Sequence, residues 1–127
     1  MGQQFVTFGL SEKTYAIPIE DVRAIERVST IRPVPGAYAA IVGVMNLRGS
    51  LLTVADLHIV FNLAPQPLTE KTRLLVIDSV GFLIDETFSV VETETDEEAS
   101  SQTVGMTAVG RDICFVQAEP LLTALRP

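Results

Sequence analysis

The sequence is poor in the residues from which most active sites are built. Its 127 residues include one cysteine, Cys114, and one histidine, His58. An internal disulfide is therefore excluded, and zinc sites or catalytic dyads that need cysteine and histidine have almost no candidates. Cys114 lies in the apolar run 113–116, which predicts a buried, inert thiol. His58 is expected to have a structural or surface role.

Signatures of phosphate and cofactor binding are also missing. There is no G-x-x-x-x-G-K-[ST] and no G-x-G-x-x-G motif, so nucleotide cradles of those kinds are excluded. Asp78, Asp85 and Glu86 lie near predicted strand ends, where a turn or capping role is favoured over an aspartyl phosphate or a metal site. The acidic run 92–98 lacks the glycine and spacing of a calcium loop. No catalytic residue, metal site or cofactor is predicted.

A long hydrophobic run is lacking as well. The longest strongly apolar stretch, residues 37–47, is interrupted by Gly43, whereas a membrane-spanning helix needs about 20 apolar residues. The first residues show no basic leader and no apolar signal stretch. We therefore expect a cytoplasmic location without direct membrane insertion.

Positive charge is scarce and unevenly distributed. The formal net charge is −7, which argues against nucleic acid and anionic membrane as partners because both attract a basic surface. Residues 1–63 carry five acids and five bases, whereas residues 64–127 carry eleven acids and four bases. Four of the bases in the first half are arginines, the side chain best suited to ion pairs at interfaces. A protein partner is therefore expected to bind the first half.

Short runs of alternating apolar residues, separated by turn residues, predict a mainly β fold. Gly49 is expected to adopt a positive φ in a tight turn that presents Arg48 at a hairpin end. The predicted strands cover residues 5–10, 15–19, 41–47, 50–54, 73–78, 81–85, 88–91, 104–109 and 113–117.

Short helical segments are predicted between some of these strands. Acids at Glu20 and Asp21 indicate a helical turn, with Val22, Ile25 and Val28 three residues apart on one side. The others are a turn of helix over residues 37–41, a helix over 57–61 with Asp56 as N-cap and Asn62 as C-terminal stop, and a terminal helix with Pro120 in its first turn.

The length and the strand count predict one domain over residues 1–127. Closely spaced strands and tight turns favour small closed barrels over a parallel α/β sheet. The proline-containing stretch 64–71 predicts a linker at which two intertwined β-barrel subdomains meet, and residues 92–103 predict a mobile loop.

Three segments follow one another in an informative order: IRPVP at 31–35, VGVMNLRG at 42–49 and VADL at 54–57. A proline-containing stretch, a G-V-x-N-L-R-G hairpin and a hydrophobic strand that ends in D-L resemble the signature of the CheW-like family. Residues 5–19 are similar to the opening hairpin of that family, and residues 81–86 to its G-x-L-V-D-E segment. The resemblance implies two small five-stranded SH3-like β-barrels that share a hydrophobic core, with a few short helices.

The same resemblance implies a function. Members of the family couple chemoreceptors (methyl-accepting chemotaxis proteins) to a CheA-type histidine kinase, or form the regulatory domain of that kinase. The implied role is a non-catalytic adaptor that binds the kinase regulatory domain and the cytoplasmic receptor tips, and is recruited to membrane receptor arrays. Two alternatives remain open: a CheW-like interaction module of a pilus, motility or localisation pathway that does not control a kinase directly, and a small hydrolase or ligand sensor on the same scaffold.

Candidate binding residues follow from matching the family motif. Arg48 corresponds to an arginine important for coupling; Asn46, Leu47 and Gly49 belong to its hairpin, and Gly43 matches a glycine near the receptor-binding groove. The alternative for Arg48 is an ion pair with an acid of its own chain that locks the two barrels together. Val22 and Ile25 match positions near the kinase-binding surface, with plain core packing as the alternative.

The sequence also departs from the family pattern. Thr53 stands where a proline is usual, Thr87 replaces a hydrophobic residue, and residues 115–118 form an unusual last strand. These departures leave open which pathway the chain serves, chemotaxis or a related motility system.

Overall fold

The computed structural model describes residues 3–93, 106–107 and 113–125. Nearly all of its regular structure is β, as the alternating sequence predicts. The strands are β1 (Gln3–Leu10), β2 (Lys13–Pro18), β3 (Ala24–Arg27), β4 (Ile31–Arg32), β5 (Ile41–Leu47), β6 (Ser50–Asp56), β7 (Arg73–Ile77), β8 (Val80–Ile84), β9 (Glu86–Thr93), β10 (Met106–Thr107) and β11 (Ile113–Phe115). The helices are a 3-10 turn (Ile19–Asp21), α1 (Leu57–Val60) and α2 (Ala118–Thr123).

The strands form two sheets. The first has the order β10-β11-β2-β1-β9 and the second the order β3-β7-β8-β6-β5-β4. Pairing is antiparallel except between β11 and β2 and between β6 and β8. The predicted mainly β fold of two units with few helices is confirmed. The second sheet has six strands instead of the five implied by the resemblance, because the two-residue β4 pairs with β5.

One hydrophobic cluster, called the shared core below, draws on both sheets. Phe8 and Ile17 contribute from the first sheet, and Leu75 and Phe82 from the second; all four are fully buried. A second cluster around Met45 fills the inside of the second sheet. Because the largest cluster contains side chains from both sheets, neither sheet can separate without exposing apolar surface to water.

Two helix predictions are wrong. Residues 20–28 form a helical turn only as the 3-10 segment Ile19–Asp21, and β3 follows it. Ile25 of β3 pairs with Leu75 of β7, so hydrogen bonds to a distant strand replace the helix that the three-residue apolar spacing suggested. Residues 37–40 form no helix, since only 39–40 form a turn, and β5 begins at Ile41.

Other local predictions are confirmed. The side chain of Asp56 accepts a hydrogen bond from the His58 N–H at 3.0 Å and caps α1, which ends before Asn62 with its φ of 63°. Residues 64–71, all described, contain no helix or strand. Cys114 lies in β11 as predicted but is half-buried.

The predicted mobile loop 92–103 lies mostly outside the described residues. Its first two residues, Glu92 and Thr93, end β9 and are therefore part of a strand. Residues 94–103, which include most of the acidic run 92–98, lie outside the described residues.

His58 connects the two sheets through one buried and one partly buried hydrogen bond. Its Nδ1 lies 2.7 Å from Asp56 Oδ1 and its Nε2 lies 2.9 Å from Asp85 Oδ1. Asp85 is the single residue between β8 and β9, where the chain passes from the second sheet to the first. Its Oδ2 accepts the Ser11 N–H at 2.8 Å, and its own N–H donates to the Gly9 carbonyl at 3.0 Å. The histidine and the two carboxylates thus bind α1 to the first hairpin.

We expect His58→Leu to lower the free energy of unfolding by about 2 kcal/mol, because it removes both ring nitrogens and leaves two carboxylates without this partner. Asp85 is partly exposed, which limits the loss. Urea denaturation followed by circular dichroism measures it, and the shared core predicts one transition for the whole chain.

The conservative variant His58→Gln keeps an N–H donor and is expected to lose less stability. Wild-type stability of His58→Leu would contradict the structural role of the histidine. Two separate unfolding transitions would contradict the view that residues 1–127 fold as one unit.

Candidate functional site

The hairpin of β5 and β6 is closed by a two-residue turn at Arg48 and Gly49. Their φ values are 52° and 87°, both positive, as a type I′ turn requires. The side-chain oxygen of Asn46 accepts a hydrogen bond from the Gly49 N–H at 3.0 Å. The predicted positive φ of Gly49 is confirmed, and Asn46 stabilises the turn that presents Arg48.

Arg48 is held by a carboxylate of its own chain. Its Nη1 and Nη2 donate to the two carboxylate oxygens of Glu26, at 3.0 and 3.2 Å. The Arg48 side chain is 72% exposed and that of Glu26 is 16% exposed. The hydrogen bonds to Glu26, and then its negative charge, raise the pKa of the Arg48 guanidinium. The guanidinium is therefore charged at any physiological pH. Its two hydrogen bonds to Glu26 fix the direction in which the side chain points.

The ion pair joins two parts of the second sheet and does not connect the two sheets to each other. Glu26 is in β3, at one edge of the sheet, and Arg48 is at the tip of β5 and β6; β7 and β8 lie between them. The pairing with an acid of the same chain, the alternative given for Arg48, is thus found. The part of that alternative in which the pair locks the two barrels together is wrong, because both partners belong to the same sheet.

Gly43 is required by a close approach of two strands. It is buried in β5, and a Cβ at this position would overlap the carbonyl oxygen of Arg32 in β4 and would lie 3.0 Å from Cγ2 of Ile31. β4 pairs with β5 over only two residues. The glycine thus permits the contact that holds Ile31 and Arg32 against the hairpin.

The remaining candidate residues are Leu47, which directly precedes the turn, and Val22 and Ile25, which lie elsewhere in the chain. Leu47 is half-buried and packs against the cluster around Met45. Val22 is partly buried against the shared core, whereas Ile25 is 41% exposed on β3, at the edge of the second sheet. The core-packing alternative thus fits Val22, and Ile25 is accessible to a partner.

Sequence reasoning missed three residues at this site. Glu26 holds Arg48, Arg23 lines the same groove of about 400 Å³, and Leu51 stands exposed between that groove and a second one of about 520 Å³. The excess of arginine in the first half was the available signal for Arg23. No local motif indicates that Glu26 lies next to Arg48, which is 22 residues away.

A protein-family model described as the CheW-like domain matches residues 4–113. The chain belongs to the CheW-like family. Among similar CheW-like proteins, the chemotaxis protein CheW of Bacillus subtilis (strain 168) is 34% identical over 104 residues, which cover 79% of this chain and 67% of that protein. The chemotaxis protein CheW of Treponema pallidum (strain Nichols) is 32% identical over 117 residues, covering 86% and 68%.

A solved structure supports the same CheW-like fold. The scaffolding protein TtCheW from Thermoanaerobacter tengcongensis superimposes with a TM-score of 0.81 at 22% sequence identity, over 95% of this chain and 92% of that one. Within the described residues of this CheW-like chain, no group of three or more His, Cys, Asp or Glu side chains could hold a metal ion. None of the described helices has the length and hydrophobicity to span a bilayer.

We expect Gly43→Ala to lower the free energy of unfolding by about 1 to 3 kcal/mol, because the added methyl group collides with the backbone of β4. Gly36→Ala is the comparison. Gly36 has no close neighbours but a φ of 82°, so this variant shows the cost of backbone strain without a collision. Thermal melts of both variants measure the effect. A Gly43→Ala melt equal to that of the wild type would show that β4 can move away at no cost.

Proposed function

We propose that this chain is a non-catalytic adaptor that couples chemoreceptors to a CheA-type histidine kinase. Membership of the CheW-like family supports this role, and so do the names of its relatives, which include chemotaxis proteins and a scaffolding protein. The proposal requires a cytoplasmic protein that is recruited to membrane receptor arrays through protein contacts. It assigns the chain no reaction of its own.

The observation that carries the proposal is the exposed arginine at a rigid turn. Asn46 and Gly49 hold the backbone of the turn, and Glu26 orients the guanidinium. An arginine whose direction is already determined loses less conformational entropy on binding than a free one. Its remaining N–H groups can donate hydrogen bonds to a carboxylate or a carbonyl oxygen of the receptor. We propose Arg48, Asn46, Leu47, Gly49 and Gly43 as the receptor-binding hairpin.

Arg48→Ala is expected to weaken assembly of receptor, kinase and this protein about tenfold, because arginine anchors are among the side chains that contribute most to interfaces. Co-sedimentation of the three components measures it. The chain should remain folded with a small loss of stability, since Arg48 is exposed although Glu26 is mostly buried.

The matched control is Lys71→Ala. Lys71 is 71% exposed and lies 4.0 Å from Glu86, so the substitution removes a cation of equal exposure that also has an acidic neighbour. Unchanged assembly with Arg48→Ala would count against the receptor-binding hairpin. Assembly with a receptor but never with a kinase would favour an interaction module of another pathway.

We propose that the edge of β3 contacts the kinase regulatory domain. Among the described strands β3 pairs only with β7, so its other edge has backbone groups available. Ile25 places an exposed apolar side chain on β3, and Val22, three residues earlier, is partly buried against the shared core. An exposed strand edge beside apolar side chains is a common site for a protein partner.

Ile25→Lys is expected to weaken binding to the isolated kinase regulatory domain about tenfold, because a charge replaces an apolar contact at the proposed interface. Surface plasmon resonance measures the affinity. Val90→Lys, which places the same charge on a half-exposed strand position of the first sheet, is the control. Equal affinities for the two variants would place the kinase contact elsewhere.

A further inference from the structure

Leu51 is the most exposed large hydrophobic side chain in the described part of the chain, at 71%. It lies in β6 opposite Asn46 of β5, next to the tight turn. Its neighbour Leu52 is buried in the cluster around Met45, since alternate residues of a strand face opposite sides. Leu51 therefore projects outward from the end of the receptor-binding hairpin.

Leu51 separates two grooves and lines both of them. The first groove, of about 400 Å³, lies at the end of the second sheet and has apolar lining from Leu52 and Val76. The second, of about 520 Å³, runs along the outer side of β4 and β5 and includes Val44 and Asn46. A segment lying across the hairpin can fill both grooves and cover Leu51 at the same time.

Both grooves are positively charged, although the chain as a whole has a net charge of −7. The first is lined by Arg23, Arg48 and Glu26, and the second by Arg32. Arg23 donates one N–H to the Asp78 carbonyl at 3.0 Å, and this contact does not neutralise its charge. Arg32 is exposed and forms no salt bridge with any described residue. These arginines favour a partner with carboxylates.

We propose that Leu51, together with Arg32, binds an acidic segment of the chemoreceptor tip that contributes an apolar side chain against Leu51 and a carboxylate to Arg32. The assignment rests on the proposed function, because the hairpin that carries Leu51 is the one assigned there to the receptor. It extends that site beyond the turn, and it makes Leu51 and Arg32 determinants of which receptor is bound.

The apolar part of the proposal is tested with Leu51→Ser. Titration calorimetry of the full chain with a soluble chemoreceptor-tip fragment should show about tenfold weaker binding, because an anchor side chain loses its contact. Leu68→Ser is the matched control, since Leu68 is 54% exposed in the linker and should leave the affinity unchanged. Both side chains are exposed, so the melting temperatures of both variants should equal that of the wild type.

The charged part is tested with Arg32→Glu in the same titration. Affinity should fall about tenfold, and its dependence on salt concentration should weaken, because an exposed attractive pair is screened by salt. Lys71→Glu makes the same change of charge on the exposed linker and should have no such effect.

Failure of this inference is distinct from failure of the proposed function. If Arg48→Ala weakens binding of the receptor tip whereas Leu51→Ser and Arg32→Glu bind like the wild type, the extended contact is overturned and the adaptor role stands. If the wild-type chain binds no receptor tip, both are overturned. If Leu51→Ser weakens only the binding of the kinase regulatory domain, the surface belongs to the kinase and the inference is wrong.

Discussion

The shared core holds the base of the hairpin that carries Arg48, and the cluster around Met45 packs beneath the strands beside it. One end of β6 is anchored in the shared core, since Ala55 and the following Leu57 are fully buried among side chains of both sheets. The other end extends past the core to the turn at Arg48 and Gly49. The hairpin is therefore rigid at its base and accessible at its tip, which suits an element that must present side chains in one direction to another protein.

Charged and polar contacts orient side chains that the hydrophobic packing has placed. In the ion pair of Arg48 with Glu26, the arginine is largely exposed and the carboxylate keeps some access to water, so the pair contributes little to stability. Its effect is to select one direction for a long, flexible side chain. The polar contacts of His58 act differently. The buried histidine connects α1 and the second sheet to the first hairpin through buried Asp56 and partly exposed Asp85, so their loss affects stability.

Sequence reasoning predicted the features that depend on neighbouring residues. The turn at Gly49 and the cap at Asp56 were both recognisable, because each needs particular residue types within a few positions. The segment around Ile25 was misjudged because its apolar spacing fits a helix, whereas its strand pairing comes from β7, about fifty residues later in the chain. Glu26 and Leu51 were missed for a related reason. Their significance depends on which distant groups the sheet brings beside them.

We propose above all that this chain connects receptor and kinase without a reaction of its own. The most direct test is the rate of kinase autophosphorylation in the presence of receptor-containing membranes, measured with and without this protein. Receptor control of the kinase is expected only when the protein is added. Receptor control that is the same in its absence would contradict the claim.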